Sequence, residues 1–359
     1  MSDEAARDVL VERMFGATIH ALDLVHIYVG DKLGLYRCLA ESGPLTTVEL
    51  AKQCAIDERY AREWTEHQAV AGILRVALDG SGGTRQYELP AGHAEVLLDE
   101  NSLSYMAPLA SLFVGAMKPL DQVLAAFRTG AGVEYADYGE DLRRGIARIN
   151  RPMFLNLLAQ EWFPQVPGLA DRLGAQPPAR VADVGCGSGW SSIAIALGYP
   201  AATVTGLDLD EASIVEARAN AAANGVEGRI TFENRNAADP GLAGTFDLVC
   251  AFETIHDMND PVGALRAMRG LRAEGGTVLV ADERVADEFT TEVEDGERFQ
   301  WGFSALHCLP TARTAPPAMG TGTVMRTPTF RAYALEAGFT EVEVLPIEND
   351  FWRFYRLVG

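Results

Sequence analysis

Residues 181–189 read Val-Ala-Asp-Val-Gly-Cys-Gly-Ser-Gly. An apolar run ends here on glycines spaced G-x-G-x-G, and a helical stretch follows from Trp190. The run predicts a strand and the glycines a tight turn. Glycine permits φ > 0 and lets the backbone come close to a ligand. In open α/β sheets, ligands bind at this carboxyl end of the strands.

A dinucleotide fingerprint has the spacing G-x-G-x-x-G. Counted from Gly185, its third glycine would fall on Trp190, too large where helix and strand pack closely. Asp183 also precedes the turn, and a carboxylate there suits an ammonium or sulfonium group and repels pyrophosphate. The next strand ends in Gly206-Leu-Asp208-Leu-Asp210. Asp208 is placed to accept both hydroxyls of a ribose. Asp210 is read as the N-cap of a helix over 211–223, which stops at Asn224-Gly225. Asn236 and Ala237, after the third strand, stand where an adenine amino group would be met.

Working outward, strands are predicted at 181–184, 203–207, 230–232, 246–251 and 277–281, with helices between. This alternation argues for a parallel sheet covered on both faces. The tail, 341–345 and 351–357, reads as an antiparallel pair. Between the fifth strand and the last helix, 284–328 reads as a long irregular segment rich in Thr, Pro and Gly.

Toward the amino end, 103–173 reads as helices rich in Met and aromatics, interrupted at 130–138. Residues 174–178 read as a linker. Residues 10–98 read as short helices followed by a hairpin. Met14, Ile19, Leu22, Leu24 and Val25 give an amphipathic first helix. Thr46-Thr-Val-Glu49 is a capping box, and Asp57 caps a longer helix through Trp64. A Gly-rich turn at 80–83 joins the two halves of the hairpin. Helix, helix, hairpin is the layout of a winged helix. The expected division is therefore a winged-helix-like domain over 1–100, a helical connector over 101–175 and an α/β domain over 176–359.

The chain has 359 residues, 48% hydrophobic and 22% charged, with a formal charge of −20. This composition excludes fibrous and largely disordered classes. So acidic a chain has no general attraction for nucleic acid or anionic membrane. Its five cysteines form no C-x-x-C pair, which argues against a disulfide framework or zinc ribbon and for a reducing, cytoplasmic setting. No apolar run reaches the ~20 residues of a membrane span.

Together these features resemble the class I S-adenosylmethionine-dependent methyltransferases, a resemblance carried by residues 180–282. It extends along the chain to an actinobacterial group of small-molecule methyltransferases with an N-terminal winged helix. That wider likeness rests on Gly30-Asp-Lys-Leu-Gly-Leu-Tyr36, Asp57-Glu-Arg-Tyr-Ala-Arg-Glu-Trp64, Gly302-Phe-Ser-Ala-Leu-His-Cys-Leu-Pro310 and Gly322-Thr-Val-Met325. It implies a Rossmann-like, mostly parallel seven-stranded sheet behind a mainly α winged-helix domain that forms a homodimer. It implies S-adenosyl-L-methionine as cofactor, held by Asp183, Gly185, Gly187, Asp208, Leu209, Asn236, Ala237 and Phe252, and a small-molecule methyl acceptor.

His256, in Phe252-Glu-Thr-Ile-His-Asp-Met258, is the first candidate base, since an imidazole accepts a hydroxyl proton near neutral pH. The stretch resembles the His-Asp-Trp segment of winged-helix O-methyltransferases, with Met258 in place of the Trp. Asp282 ends the fifth strand at the same edge, where an acidic residue steadies the His of those enzymes; Glu283 competes for that role. His307 is the second candidate base. It lies in the irregular segment with Trp301 and Phe303, whose aromatic content reads as a lid over the acceptor. His26 and Tyr138 complete the substrate candidates. No H-x-x-x-H or C-x-x-C spacing fixes a metal, so none is expected.

Two rival readings stand beside the enzyme. One is a ligand-sensing transcription regulator. Against it, the candidate recognition helix carries Glu58, Arg59, Arg62, Glu63 and Glu66, net −1, and residues 1–100 hold nine Lys and Arg against seventeen Asp and Glu. That is the wrong sign for phosphate contacts. The other is a methyltransferase fold performing non-methylating chemistry.

Overall fold

A computed structural model describes residues 2–78, 84–239, 241–242 and 244–359. The glycine turn expected at 80–83 lies outside the described residues. The chain forms two compact units: Met1–Gly115 with Arg144–Pro152, and Ala116–Arg143 with Met153–Gly359. The segment expected to be a separate connector, 101–175, is instead shared between them. Side-chain chemistry explains the split. Arg148 makes a bidentate ion pair with Asp31, at 2.7 and 3.0 Å, and Arg151 pairs with Glu100, so 144–152 belongs with the first unit. A few residues on, Phe154 sets its ring edge-on to Phe252 and Trp162 does so to Trp352, which ties that stretch to the sheet of the second unit.

The first unit opens with a 30-residue helix, Asp3–Lys32. Helices Leu35–Ser42, Thr47–Gln53 and Glu58–Val70 follow, then the antiparallel strands β1 (Arg75–Leu78) and β2 (Arg85–Glu88), then a helix at Ala91–Leu98. Both expected caps form. Glu49 N–H donates to Thr46 Oγ1 while the Glu49 carboxylate accepts from Thr46 N–H, and Asp57 accepts from Arg59 and Tyr60 N–H. Tyr36, Leu39, Trp64 and Tyr87 lie in the core. Gly30 allows the first helix to meet it: a Cβ there would stand 2.5 Å from the Tyr36 ring and 2.6 Å from Trp64. The apolar residues of that helix nearer the amino end stay in water, with Val11 61%, Met14 64% and Phe15 71% exposed.

The second unit is built on seven strands: β3 (Arg180–Val184), β4 (Thr203–Asp208), β5 (Ile230–Asn234), β6 (Phe246–Phe252), β7 (Arg272–Glu283), β8 (Glu341–Val344) and β9 (Trp352–Val358). Their order is β5-β4-β3-β6-β7-β9-β8. All neighbours are parallel except that β9 runs antiparallel to β7 and β8. This is the Rossmann-like, mostly parallel sheet expected. The central strands read as apolar runs because they are covered on both faces, and Val249, Val278, Val280 and Leu265 are fully buried. Strand order reverses on either side of β3, so the crevice at the carboxyl ends of β3 and β6 is the topological switch point where such sheets bind ligands.

The segment 284–328 is irregular as expected at 284–294 and 312–326, but its middle is helical. It contains a helix over Asp295–Phe303, a π-helical turn over Ser304–Cys308 and a last α turn over Leu309–Thr311. Gly296, Gly302 and Pro310 made it read as broken, but the wider π turn carries the helix through to the proline. Among the described residues, no single helix is long and apolar enough to cross a membrane.

Candidate active site at the switch point

The turn after β3 is built on left-handed glycines, with φ of 71° at Gly185, 50° at Gly187 and 82° at Gly189. Gly185 and Cys186 N–H both donate to Leu207 O, which draws the turn against β4. A Cβ on Gly185 would lie 2.3 Å from Thr254 Oγ1, and one on Gly189 would lie 2.8 Å from the Phe232 ring. A Cβ on Gly187 would meet nothing within 4 Å. Two of these glycines therefore serve packing, and the third leaves backbone open to a ligand.

Asp208 Oδ2 accepts the Gly187 N–H at 2.8 Å, and Oδ1 accepts the Asp210 N–H at 2.8 Å. Each oxygen keeps one further lone pair for ribose hydroxyls. Burial pushes this carboxyl up to about 6 against the pull of those two amides. Asp210 caps its helix as expected, through Ser213 N–H. Leu209, 66% exposed, stands beside Asp208. Asn236 is exposed and turns its Oδ1 to Ala238 N–H, and Ala237 packs on the sheet core. Asp183 is 1% exposed, and its Oδ2 accepts from Ser191 and Ser192 Oγ at 2.6 Å each. It stands beneath the turn and ties it to the helix Trp190–Gly198. Phe252, at the end of β6, is buried against Phe154 and Phe163.

Sequence reasoning missed Ser188, Glu216, Asn220 and Arg143. Ser188 Oγ donates to Glu216, and Asn220 donates to Ser188 O, which anchors the far side of the turn. Arg143 Nε stands 3.6 Å from Glu216 yet is buried without a hydrogen bond. Tyr135 is half-buried, its hydroxyl pushed well above the usual phenol range by burial and then by Asp208 and Asp257. These features fit an adenosyl amino acid: open backbone at Gly187, acceptors for ribose at Asp208, and an incompletely bonded guanidinium suited to a carboxylate.

The second half of the site lies at the ends of β6 and β7. His256 Nδ1 is 2.6 Å from Asp282 Oδ1, with the two side chains 3% and 1% exposed. Asp282 Oδ1 also accepts the Glu283 N–H, and Oδ2 has no partner. Of the two acids considered for steadying the imidazole, Asp282 is the one in contact. Glu283 instead accepts from Gln300 at 2.6 Å. Burial opposes charge on His256, but Asp282 and Cys308 together outweigh it and hold the imidazole well above its usual range.

The π turn brings His307 and Cys308 to the same place. His307 is 3% exposed and its Nδ1 lies 3.4 Å from Cys308 Sγ. Its ring stands edge-on to Tyr138 at 4.7 Å, and Tyr138 donates its hydroxyl to Leu306 O at 2.7 Å. Trp301 is 40% exposed, with Phe289 at its edge and the Arg326 guanidinium over its face. Phe303 packs on Phe299. His26 lies in the first unit, stacked on His67 at 3.9 Å with its Nδ1 on Leu22 O.

Comparison with known proteins agrees with this geometry. Residues 176–321 match a methyltransferase domain model, and residues 21–98 match an Rv2258c-like winged HTH domain model. A ubiquinone biosynthesis O-methyltransferase of Pseudomonas aeruginosa is 33% identical over 130 residues, which is 35% of this chain and 51% of that protein. One from Marinobacter nauticus is 36% identical over 104 residues, 28% of this chain and 43% of that protein. The match thus spans about half the length of these relatives or less. Among solved structures, the mitomycin 7-O-methyltransferase MmcR covers 99% of each chain with a TM-score of 0.72 at 20% identity. Human N-acetylserotonin methyltransferase in complex with SAM covers 100% of this chain and 99% of its own, with a TM-score of 0.69 at 16% identity. The domain matches and the strand order agree on a methyltransferase domain of the class I fold, preceded by an Rv2258c-like winged HTH domain.

Proposed function

We propose that the chain transfers a methyl group from S-adenosylmethionine to an oxygen of a small acceptor. The observation that carries the reading is the buried Asp282–His256 pair, at the same sheet edge as the glycine turn and Asp208. S-adenosylmethionine supplies a methyl already activated on a sulfonium. The protein is left to hold and align the partners, exclude water and remove the acceptor's proton.

Asp208 accepts the ribose hydroxyls, Leu209, Asn236 and Ala237 meet the adenine, and the backbone of Gly185 and Gly187 lines the approach. Asp183 supports the turn through its two serines, and Phe252 closes the apolar floor. Arg143 meets the amino-acid carboxylate. His256 takes the acceptor's proton, and Asp282 fixes its tautomer and steadies the charge it gains. Tyr138 backs His307, while Trp301 and Phe303 ride on the helix leading to His307 and form the mouth of the acceptor side. Oxygen is favoured as the acceptor atom because an imidazole base suits a hydroxyl and because the relatives named above act as O-methyltransferases.

The exposed apolar face of Asp3–Lys32 supports a homodimer, and the five free thiols support a reducing cytoplasm. The test is turnover. Incubation with a panel of phenols and hydroxy acids should release S-adenosylhomocysteine. His256→Ala should lower kcat by about 10²–10⁴-fold, the usual contribution of a general base, with little change in cofactor affinity. Unchanged turnover removes the base assignment.

A further inference from the structure

The turn that carries His256 is short. A single 3₁₀ turn, Ile255–Asp257, leads to Asp260, whose Oδ1 accepts the Gly263 N–H and caps the helix Pro261–Leu271. Half-buried Asn259 stands between the two and reaches one distant segment with three polar groups. Its Oδ1 accepts the Ala315 N–H at 3.0 Å, its Nδ2 donates to Thr314 Oγ1 at 3.0 Å, and its backbone O accepts the Met319 N–H at 3.1 Å. A carboxamide supplies donor and acceptor at once, which is what two such bonds need. Three residues on, Gly322 N–H donates to His256 O at 2.9 Å. Gly322 is also held from its other side. At its φ of 75°, a Cβ would lie 2.5 Å from Ser304 Oγ and 3.3 Å from Leu309 Cβ. One glycine thus bonds the backbone of His256 and packs on the π turn that carries His307.

The segment 312–322 is tied at its opposite edge as well. Val133 N–H donates to Pro310 O at 3.1 Å, and Arg313 Nε donates to Gly130 O at 2.8 Å. A Cβ on Gly132 would lie 2.5 Å from Arg313 C. From there the chain passes to Tyr135 and Tyr138, whose rings meet His307 at 5.7 and 4.7 Å. We propose that Asn259 is a positioning residue: it locks the segment 312–322 along the 255–259 turn and so fixes His256 against the helix end that carries His307. That this arrangement serves catalysis rests on the methyl transfer proposed above; that Asn259 holds the turn does not.

Removing the carboxamide takes the side-chain partner from Ala315 N–H and from Thr314 Oγ1, while Met319 N–H keeps its backbone acceptor. A segment held to the turn only through Met319 and Gly322 is free to slide along it, and His256 moves with Gly322. A displacement of about 1 Å at a reacting group costs roughly 10²-fold in rate. The cofactor turn is supported separately, by Asp208 on Gly187 N–H and by Asp183 on its two serines. The loss therefore falls on the acceptor side and spares the cofactor.

The test compares Asn259→Ala and Asn259→Asp with wild type in the whole protein. Amide hydrogen exchange, read residue by residue, needs no turnover. In Asn259→Ala the Ala315 amide loses its acceptor directly. The Gly322 amide, bonded to His256 O and not to Asn259, should also exchange about tenfold faster, the weight of one net hydrogen bond. Faster exchange at Ala315 with Gly322 unchanged makes the contact merely local and overturns the proposal. With an acceptor that wild type methylates, Asn259→Ala should lower kcat by about 10–100-fold, while calorimetric affinity for S-adenosylhomocysteine stays close to wild type. Asn259→Asp should recover most of that loss, because one carboxylate oxygen still accepts the Ala315 N–H and the other accepts the Thr314 hydroxyl proton. An Asp variant as slow as the Ala variant, or an affinity that falls as far as kcat does, overturns the positioning role. Should Asn259→Ala fail to fold, Thr314→Val removes one of the same two bonds from the other side and carries both measurements. Should wild type methylate no acceptor, the methyl-transfer reading fails by itself, and the exchange at Gly322 still decides whether Asn259 holds the turn.

Discussion

Asp208 Oδ2 accepts the Gly187 N–H at 2.8 Å, so the carboxylate assigned to the ribose also holds the turn assigned to the rest of the cofactor. One side chain thus couples two strands' ends, and its ionisation sets both. Its carboxyl titrates at about 6, raised chiefly by burial. The protonated form loses its charge and one acceptor site. Cofactor affinity should therefore be full above pH 7 and fall as pH drops through about 6. Asp208→Asn should bind about 10–100-fold more weakly, since a hydrogen bond to a charged group contributes about 1.5–3 kcal/mol, and its affinity should no longer change across pH 5–7. Calorimetric titration at several pH values measures both.

The glycines of the turn should separate into two kinds. Gly185→Ala forces a Cβ to within 2.3 Å of Thr254 Oγ1 at a φ of 71°, so it should cost stability, on the order of 1–3 kcal/mol for a strained backbone alone. Gly187→Ala meets no atom within 4 Å and bears only the cost of its left-handed φ, roughly 1–2 kcal/mol. Its methyl group projects toward the proposed ligand. Thermal unfolding should therefore penalise Gly185→Ala more, and a folded Gly187→Ala should still bind the cofactor poorly. Equal Tm losses with cofactor affinity intact in Gly187→Ala would contradict the assignment of open backbone.

How much of this was legible follows from where each signal lies. The G-x-G-x-G turn, Asp208 and the caps at Thr46, Asp57 and Asp210 are local: residue type and short spacing determine them. The helix Asp295–Phe303 and the turn after it were not legible. Gly302 and Pro310 argue against a helix by propensity, and only a π turn packed against Tyr138 carries the chain through them. Arg143 has no spacing motif at all. It acquires meaning only when the fold brings Glu216 beside it.

Asp282→Asn separates tautomer control from charge. The asparagine keeps the shape, but its amide nitrogen can turn a donor toward His256 Nδ1. kcat should fall about 10²–10⁴-fold, with cofactor affinity nearly unchanged. The pair also contributes to stability. His256 is held above its unfolded value of about 6.5, so that contribution is fully present below pH 6.5 and fades as pH climbs through the raised folded value. The Tm gap between wild type and Asp282→Asn should accordingly narrow at alkaline pH, as pH-dependent thermal unfolding would show.

The first helix offers the remaining test. Val11, Met14 and Phe15 are 61%, 64% and 71% exposed, and Leu10 and Leu22 are more than half exposed. Burying one such side chain contributes about 1.5–3 kcal/mol, so several meeting their copies in a partner would hold a dimer together. The neighbouring core of the first unit does not depend on them, since Leu35, Tyr36, Leu39 and Trp64 pack without them. Phe15→Asp with Leu22→Asp should therefore yield a monomer by light scattering at micromolar concentration, while helicity by circular dichroism stays close to wild type. A wild-type chain that is already monomeric, or a double variant that remains dimeric, would remove this helix as the dimer contact.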